Sequence, residues 1–289
     1  MIYRERLPSP ALRDYVERLW WLEGTAGEIL GDPIPPDGHP EIIVHGGDPF
    51  RAEDGTLQER VLLAGQMTAA TRVAPSGATL AVGARLRPDA ARALFGVPQW
   101  QLTDRIVDLR DLDARLAVRI RTGVSARGRG EEMLDALDAM LADSRASRRS
   151  AERRLAPAVR LASRSGGLVG VEGLARTLGV TRRHAERLFR EHVGLPPKLF
   201  LRIVRFQRAL AALPGAPRRS PWAELAVSLG YYDQSHLIRD FRELAGRAPG
   251  AWSARDESLA AVFSPVRRPA AGPLEEDVAF FQDAPGAPR

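Results

Sequence analysis

Between residues 171 and 252 one pattern of residues occurs twice in the same order, and it constrains the local fold more tightly than anything else in the chain. The first copy reads V-E-G-L-A-R-T-L-G-V-T-R-R-H-A-E-R-L-F-R over 171–190; the second reads W-A-E-L-A-V-S-L-G-Y-Y-D-Q-S-H-L-I-R-D-F-R over 222–242. In each, a short run with apolar residues at helical spacing closes on Leu-Gly, and a polar start leads into a second helical run carrying Arg-x-Phe. Gly179 and Gly230 suit a tight turn, where a positive φ is inexpensive only without a Cβ. Thr181 and Asp233 stand where an N-cap would accept a hydrogen bond from a backbone N–H two or three residues on. The expected unit is a bracing helix, a turn, and a second helix shaped to enter a DNA major groove.

Periodicity sorts the residues by face. In the first unit Val171, Leu174, Ala175 and Leu178 point inward from the bracing helix, and Ala185, Leu188, Phe189 and Val193 from the second. Arg182, Arg183, Glu186 and Arg187 fall on the exposed side, and Arg190, further along, is better placed for phosphate. In the second unit Leu225, Ala226 and Leu229 brace, Leu237, Ile238 and Phe241 pack, and Gln234, Ser235, His236 and Arg239 face outward, with Arg242 added to the DNA-binding set. Arginine pairs bidentately with guanine O6 and N7, glutamine with adenine N6 and N7, so the two units should read different bases. Pro196 and Pro197 suit the first turn of a connecting helix to about residue 213, a strut of roughly 25 Å at 1.5 Å per residue.

Charge supports a nucleic-acid partner. Residues 152–256 hold 19 Lys+Arg against 9 Asp+Glu, a net +10, whereas the rest of the chain nets −4. An arginine-rich coding bias would raise arginine everywhere, so this asymmetry reads as the footprint of a surface that meets phosphates. Cysteine is absent, which excludes disulfide frameworks, thiolate zinc sites and thiol nucleophiles, including an alkyl-accepting repair fusion. No apolar run reaches membrane-span length, and residues 1–6 lack a signal-peptide core, so a soluble cytoplasmic protein is expected.

The whole basic region resembles the AraC-type (arabinose-regulator-like) transcription factor domain. The matching residues are Leu-Gly before T-R-R-H-A-E-R-L-F-R, then G-L-P-P-K-L-F, R-F-Q-R-A-L, and G-Y-Y-D-Q-S-H-L-I-R-D-F followed by G-R-A-P. The resemblance implies a bipartite reader whose two recognition helices enter adjacent major grooves on one DNA face. Its usual base-facing positions fall on Arg182, Arg183, Glu186 and Arg187, then on Gln234, Ser235 and Arg239. Ala185 departs from the pattern, standing where the family usually has a larger aliphatic residue.

The N-terminal half reads as mostly β to about residue 97. Short apolar runs at 41–45, 61–64 and 79–86 recur between Gly/Pro/Asp clusters, suggesting a small sandwich or barrel. Residues 11–21 carry a helical period leading into a strand, 88–95 a short helix stopped by Gly96 and Pro98, and 102–141 two helical segments interrupted between Gly123 and Gly130. The motifs L-W-W-L-E, P-P-D-G-H-P-E-I-I-V-H-G-G-D-P-F and V-G-A-R-L-R-P-D-A-A-R-A-L-F-G-V-P resemble the β-rich sensor-like domain fused to one subgroup of these regulators, implying a ligand-sensing or dimerising role. Trp20 and Trp21 should point to opposite faces of a strand, one in a core and one toward a pocket. Arg85 and Arg87 share a face and either receive an anion or pair with local carboxylates. His39, Glu41 and His45 also share a face, but with no fourth ligand in sight no metal is assigned. The Met133–Leu141 face is either a dimer contact or an intramolecular core face.

The expectation is therefore an α+β chain of two domains: an N-terminal β-rich barrel or sandwich with flanking helices over 1–145, a linker at 146–154, and a C-terminal all-α tandem helix-turn-helix domain over 155–256. Its units lie at about 171–193 and 222–245, and a loose tail follows at 257–289. The expected function is a sequence-specific DNA-binding transcription regulator, not an enzyme and without a cofactor. Double-stranded DNA is its partner. A small-molecule effector, a second copy of the chain and, for an activator, RNA polymerase are further candidates; no membrane is. Two alternatives remain: a metal- or small-molecule-dependent enzyme barrel fused to a DNA-targeting domain, and a nonspecific architectural DNA binder.

Overall fold

A computed structural model of the chain describes residues 2–25, 33–125, 127–146, 153–213 and 222–252. Its N-terminal elements are β1 (Ile2–Arg6), β2 (Val16–Gly24), β3 (Glu41–His45), β4 (Phe50–Ala52), β5 (Val61–Ala64), β6 (Val73–Pro75), β7 (Thr79–Leu86), α1 (Ala90–Phe95), β8 (Ile106–Asp108), α2 (Arg110–Ser125) and α3 (Gly130–Ala146). Six strands form one antiparallel sheet in the order β1-β2-β7-β3-β5-β8, and β4 pairs with β6 in a separate two-stranded sheet. Side chains alternate between faces along each strand. Leu19 and Trp21, Ile42 and Val44, and Val82 and Ala84 go to a core shared with α2 and α3, while Trp20, Leu22 and Ala81 go to a second core with Tyr3, Phe50 and Val73. The two indoles thus separate as expected, but both are buried core groups. Met133, Leu137 and Leu141 of α3 are buried against the sheet, so that face is an intramolecular core face.

Two expected helical stretches are strand instead. Residues 11–21 form a 3-10 turn at Pro10–Leu12 and then β2, hydrogen-bonded on both sides by β1 and β7. A β-bulge between Val16 and Arg18 puts Val16 and Leu19 into the same core, which imitates helical spacing in the sequence. Residues 106–108 pair with β5 as an edge strand, so the helical segment begins only at Arg110. The short helix before Gly96 runs as expected, with Gly96 at φ 76 closing it.

The second core face carries charge. Arg85 is buried with its Nε 2.9 Å from Glu41 and 3.2 Å from Asp37, so of the two roles expected for it, pairing with local carboxylates holds. Arg87 donates to the Arg13 carbonyl. His39 Nδ1 lies 3.0 Å from Glu17 and 2.9 Å from the Leu86 carbonyl oxygen. Burial alone would lower the His39 pKa, but the Glu17 carboxylate outweighs it and raises the pKa to about 9. His45 sits between Gln58 and the Phe50 ring, and burial pushes it down to about 4, leaving it neutral at pH 7. His39, Glu41 and His45 are thus each engaged by different partners. Among the described residues no group of three or more acidic or histidine side chains is placed to hold a metal ion.

The C-terminal elements are α4 (Ala156–Arg164), α5 (Val171–Thr177), α6 (Arg182–His192), α7 (Pro197–Ala212), α8 (Trp222–Ser228), α9 (Gln234–Ala245) and α10 (Pro249–Trp252). Helix α7 is the hub. Its Phe200 packs on Phe189 of α6 (ring centroids 5.9 Å apart) and its Phe206 edge-on against Phe241 of α9 (4.9 Å). The same helix binds the buried carboxylate of Asp240 on α9, with Arg202 Nε at 2.8 Å and Arg205 Nη2 at 3.6 Å. The two Arg-x-Phe landmarks of the sequence are therefore the two points at which the repeated units dock on one strut.

The domains touch along two lines. The Pro36–Gly38 turn sits on α7, where Gln207 Nε2 donates to the Pro36 carbonyl at 2.7 Å and Gly38 lies beside the Phe200 ring. Arg92 of α1 pairs with Glu191 of α6 at 2.7 Å, and Arg153 pairs with Asp89. The expected tail and most of the expected linker lie outside the described residues. Among the described residues no helix is long and apolar enough to cross a membrane.

Removing the Phe206 ring should cost about 3–5 kcal/mol, the usual penalty for emptying a packed aromatic site. Chemical denaturation of Phe206→Ala checks this, and a loss below about 1 kcal/mol would remove α7 as the hub. The His39–Glu17 pair supplies a pH dependence. His39 is raised above its ordinary 6.5, so its contribution is complete below pH 6.5 and is lost as pH rises through about 9. Glu17 is lowered to about 2 from 4.5 despite its desolvation, because of His39, so the pair also weakens as pH falls from 4.5 toward 2. Glu17 keeps 39% of its side-chain surface exposed, which screens the pair. The stability gap between wild type and His39→Gln should therefore be small and should close between pH 6.5 and 9; a gap constant across that range would assign the role to packing alone.

Candidate nucleic-acid interface

Helices α6 and α9 each start from a local device encoded within a few residues. Gly179 and Gly230 adopt φ of 65° and 80°, turning the chain out of α5 and α8. Thr181 then accepts from the His184 N–H at 3.3 Å, and Asp233 from the His236 N–H at 2.7 Å. Ala185, Leu188 and Phe189 of α6 and Leu237 and Phe241 of α9 are buried, which leaves the opposite face of each helix to solvent.

Arg182, Arg183, Glu186, Arg187 and Arg190 are all exposed on α6, and Gln234, Ser235, Arg239 and Arg242 on α9. His236 differs. It is half-buried, its ring edge-on to Tyr231 at 5.1 Å, and its Nδ1 accepts from the Tyr232 N–H at 3.5 Å. Arg182 is tied to Glu172 of α5 at 2.9 Å and to Glu186 at 3.3 Å. Such exposed pairs are worth about 0–1 kcal/mol, so a base or phosphate can displace them at little cost. Arg187 Nη2 reaches His184 Nε2 at 3.3 Å, which keeps its guanidinium along the helix face.

A cleft of about 430 Å³ opens between α6 and the start of α7, where Arg182, Arg183, Arg187 and Arg190 converge with Lys198. Lys198 was not among the residues expected to meet DNA. Its signal in the sequence was being the chain's one lysine, on the second residue of a Pro-initiated helix, but nothing local brings it to the α6 face. Tyr232, 89% exposed beside Gln234, was also missed, because its position in the turn looks like a packing residue next to buried Tyr231. Trp100 of the N-terminal domain, 56% exposed, borders a second cleft with Arg187 and Arg190; only the tertiary structure places it there.

Residues 174–255 match the family model described as "Helix-turn-helix domain", and residues 4–108 match "Domain of unknown function (DUF6597)". The first match makes residues 174–255 a helix-turn-helix domain. The chain is similar to the HTH-type transcriptional regulator GlxA of Rhizobium meliloti (strain 1021), with 34% identity over 85 residues, 29% of this chain and 26% of that protein. It thus spans about a quarter of that relative's length. Among solved structures it is similar to a transcriptional regulator with an AraC-type DNA-binding domain from Chromobacterium violaceum (23% identity, TM-score 0.31, 35% of this chain and 89% of that one). It is also similar to ToxT from Vibrio cholerae O395 (10% identity, TM-score 0.42, 81% of this chain and 96% of that one). The helix-turn-helix match takes in both α6 and α9, and with them both exposed faces.

Proposed function

We propose that this protein is a sequence-specific DNA-binding transcription regulator whose AraC-type domain reads two adjacent major grooves. The observation that carries the reading is the docking of two equivalent helices, α6 and α9, on one strut through Phe200 and Phe206, with their polar faces left exposed. Arg183 and Arg187 of α6 suit guanine, and Gln234 and Arg239 of α9 suit adenine and guanine, so the site is asymmetric. Arg190 and Lys198 line the basic cleft and take phosphates. Ser235, Glu186 and Arg182 complete the base-facing sets, and Arg242 stands further along α9. Half-buried His236 supports the turn more than it reaches the groove.

The N-terminal domain acts in this reading as the regulatory half, through a small-molecule effector or pairing with a second copy, and an activating outcome would add RNA polymerase as a partner. The protein works inside the cell on DNA and carries no catalytic step. An enzyme barrel would have rested on His39, Glu41 and His45, and their engagement by Glu17, Arg85 and Gln58 favours structural roles.

Selection of bound sequences from a random DNA pool tests the proposal, because a nonspecific architectural binder would return no consensus. On the selected site Arg239→Ala should weaken binding by about 1–3 kcal/mol and relax preference at one base. Equal loss on cognate and random DNA would count against base reading. Arg190→Ala and Lys198→Ala should instead lower affinity almost uniformly, each reducing the salt slope by about 1; an unchanged slope would remove the residue from the phosphate set.

A further inference from the structure

The first reading helix ends against the other domain. The last carbonyls of a helix lack intrahelical donors, and the His192 carbonyl loses its i+4 donor outright because the residue four beyond it is Pro196, which has no N–H. The structure supplies the missing donors from the N-terminal domain. Gln99 Nε2 donates to the His192 carbonyl, and Thr103 Oγ1 donates to the Gly194 carbonyl at 2.8 Å. Gln99 is fully buried, and its amide also donates to the Pro88 carbonyl at 2.8 Å, so one side-chain amide bridges a carbonyl of each domain. Gly194, at φ 88, lets the backbones close: a Cβ there would lie 2.8 Å from Thr103 Oγ1 and 3.0 Å from the Gln99 carbonyl oxygen. The Arg92–Glu191 ion pair sits one residue before the bridged His192 carbonyl.

We infer that the 98–103 turn of the N-terminal domain completes the C-terminal cap of α6, and that Gln99 and Thr103 are positioning residues for DNA reading. The inference rests on the DNA-reading function proposed above. Both helices close on a left-handed glycine of their own: the Gly194 N–H bonds the Phe189 and Arg190 carbonyls of α6, and the Gly246 N–H bonds the Arg242 carbonyl of α9. What α6 has in addition is the pair of donors from the N-terminal domain, Gln99 and Thr103, on the carbonyls that follow. The N-terminal domain therefore bears on the α6 half of the DNA site and not on the α9 half. Gln99 is held through Pro88, whose carbonyl oxygen also lies 3.5 Å from Gln66 Nε2, and Gln66 in turn donates to the Gly38 carbonyl at 2.7 Å. This run of contacts joins the Pro36–Gly38 turn on α7 to the end of α6.

The test uses the full-length chain and the DNA site selected by the wild type. The α6 half is the one at which Arg187→Ala relaxes base preference. Gln99→Leu removes the bridge, and Thr103→Val removes only a hydroxyl while keeping the shape, so the second variant remains informative if the first folds poorly. Each should weaken binding about 3- to 10-fold, the range expected for one or two lost hydrogen bonds. Base preference should relax in the α6 half and be preserved in the α9 half. Unchanged or tighter binding by folded Thr103→Val, or a loss spread evenly over both halves, would overturn the capping role. A wild-type chain that selects no sequence would overturn the DNA-reading function itself, a result distinct from either.

Discussion

Everything in the C-terminal domain hangs on helix α7. A helix-turn-helix unit is too small to bury a core of its own, and each of the two here completes its core by seating one phenylalanine on this strut. Phe200 and Phe206 are six residues apart, roughly 9 Å along the axis, and they face different units. A buried aromatic contributes about 1.5–3 kcal/mol through burial alone, and it is non-directional, so a second interaction has to fix orientation. Asp240 provides it: its buried carboxylate receives Arg202 and Arg205, and Arg205 also lies over the Tyr231 ring at 4.7 Å. Losing either arginine would leave that carboxylate underpaired in a low-dielectric site, which makes the arrangement specific as well as stable.

The N-terminal sheet serves a different end. Its first core, under α2 and α3, is apolar and conventional, whereas its second face combines Trp20, Tyr3 and Phe50 with the Arg85–Glu41–Asp37 cluster. Asp37 lies in the turn that touches α7, so the cluster that neutralises Arg85 also anchors the seat of the strut. The same domain finishes α6 through Gln99 and Thr103. Both contacts are polar groups meeting backbone carbonyls, whose worth depends on geometry rather than area. Hydrogen bonds of this sort weaken steeply as the partners move apart or out of line.

Much of this was legible in the sequence because it is local. Turn glycines, N-cap residues and the alternation of buried and exposed positions on α6 and α9 follow from interactions within a few residues, and the structure matches them apart from His236, expected outside, and Ile238, expected in the core, which are both half-buried. Strands at 41–45, 61–64 and 79–86 were equally plain. Residues 11–21 misled because a bulge gave a strand the spacing of a helix, and 106–108 because a three-residue edge strand has too little pattern to register. Lys198, Trp100, Gln99 and Thr103 gave no local signal, since each acquires its role only from an element distant in the chain.

The sequence by itself determined that there are two reading units, where their turns and caps fall, and which side chains face outward, because backbone sterics, capping and helical period operate over three or four residues. Tertiary structure alone decided how the units are joined and which surfaces they meet. The choice of α7 as common support, the sharing of Asp240, and the capping of α6 by Gln99 from 93 residues away are set by which surfaces meet on packing. Pro196 marks the point where one passes into the other: the sequence shows that the His192 carbonyl lacks its helical donor, and only the folded chain shows which side chain supplies one.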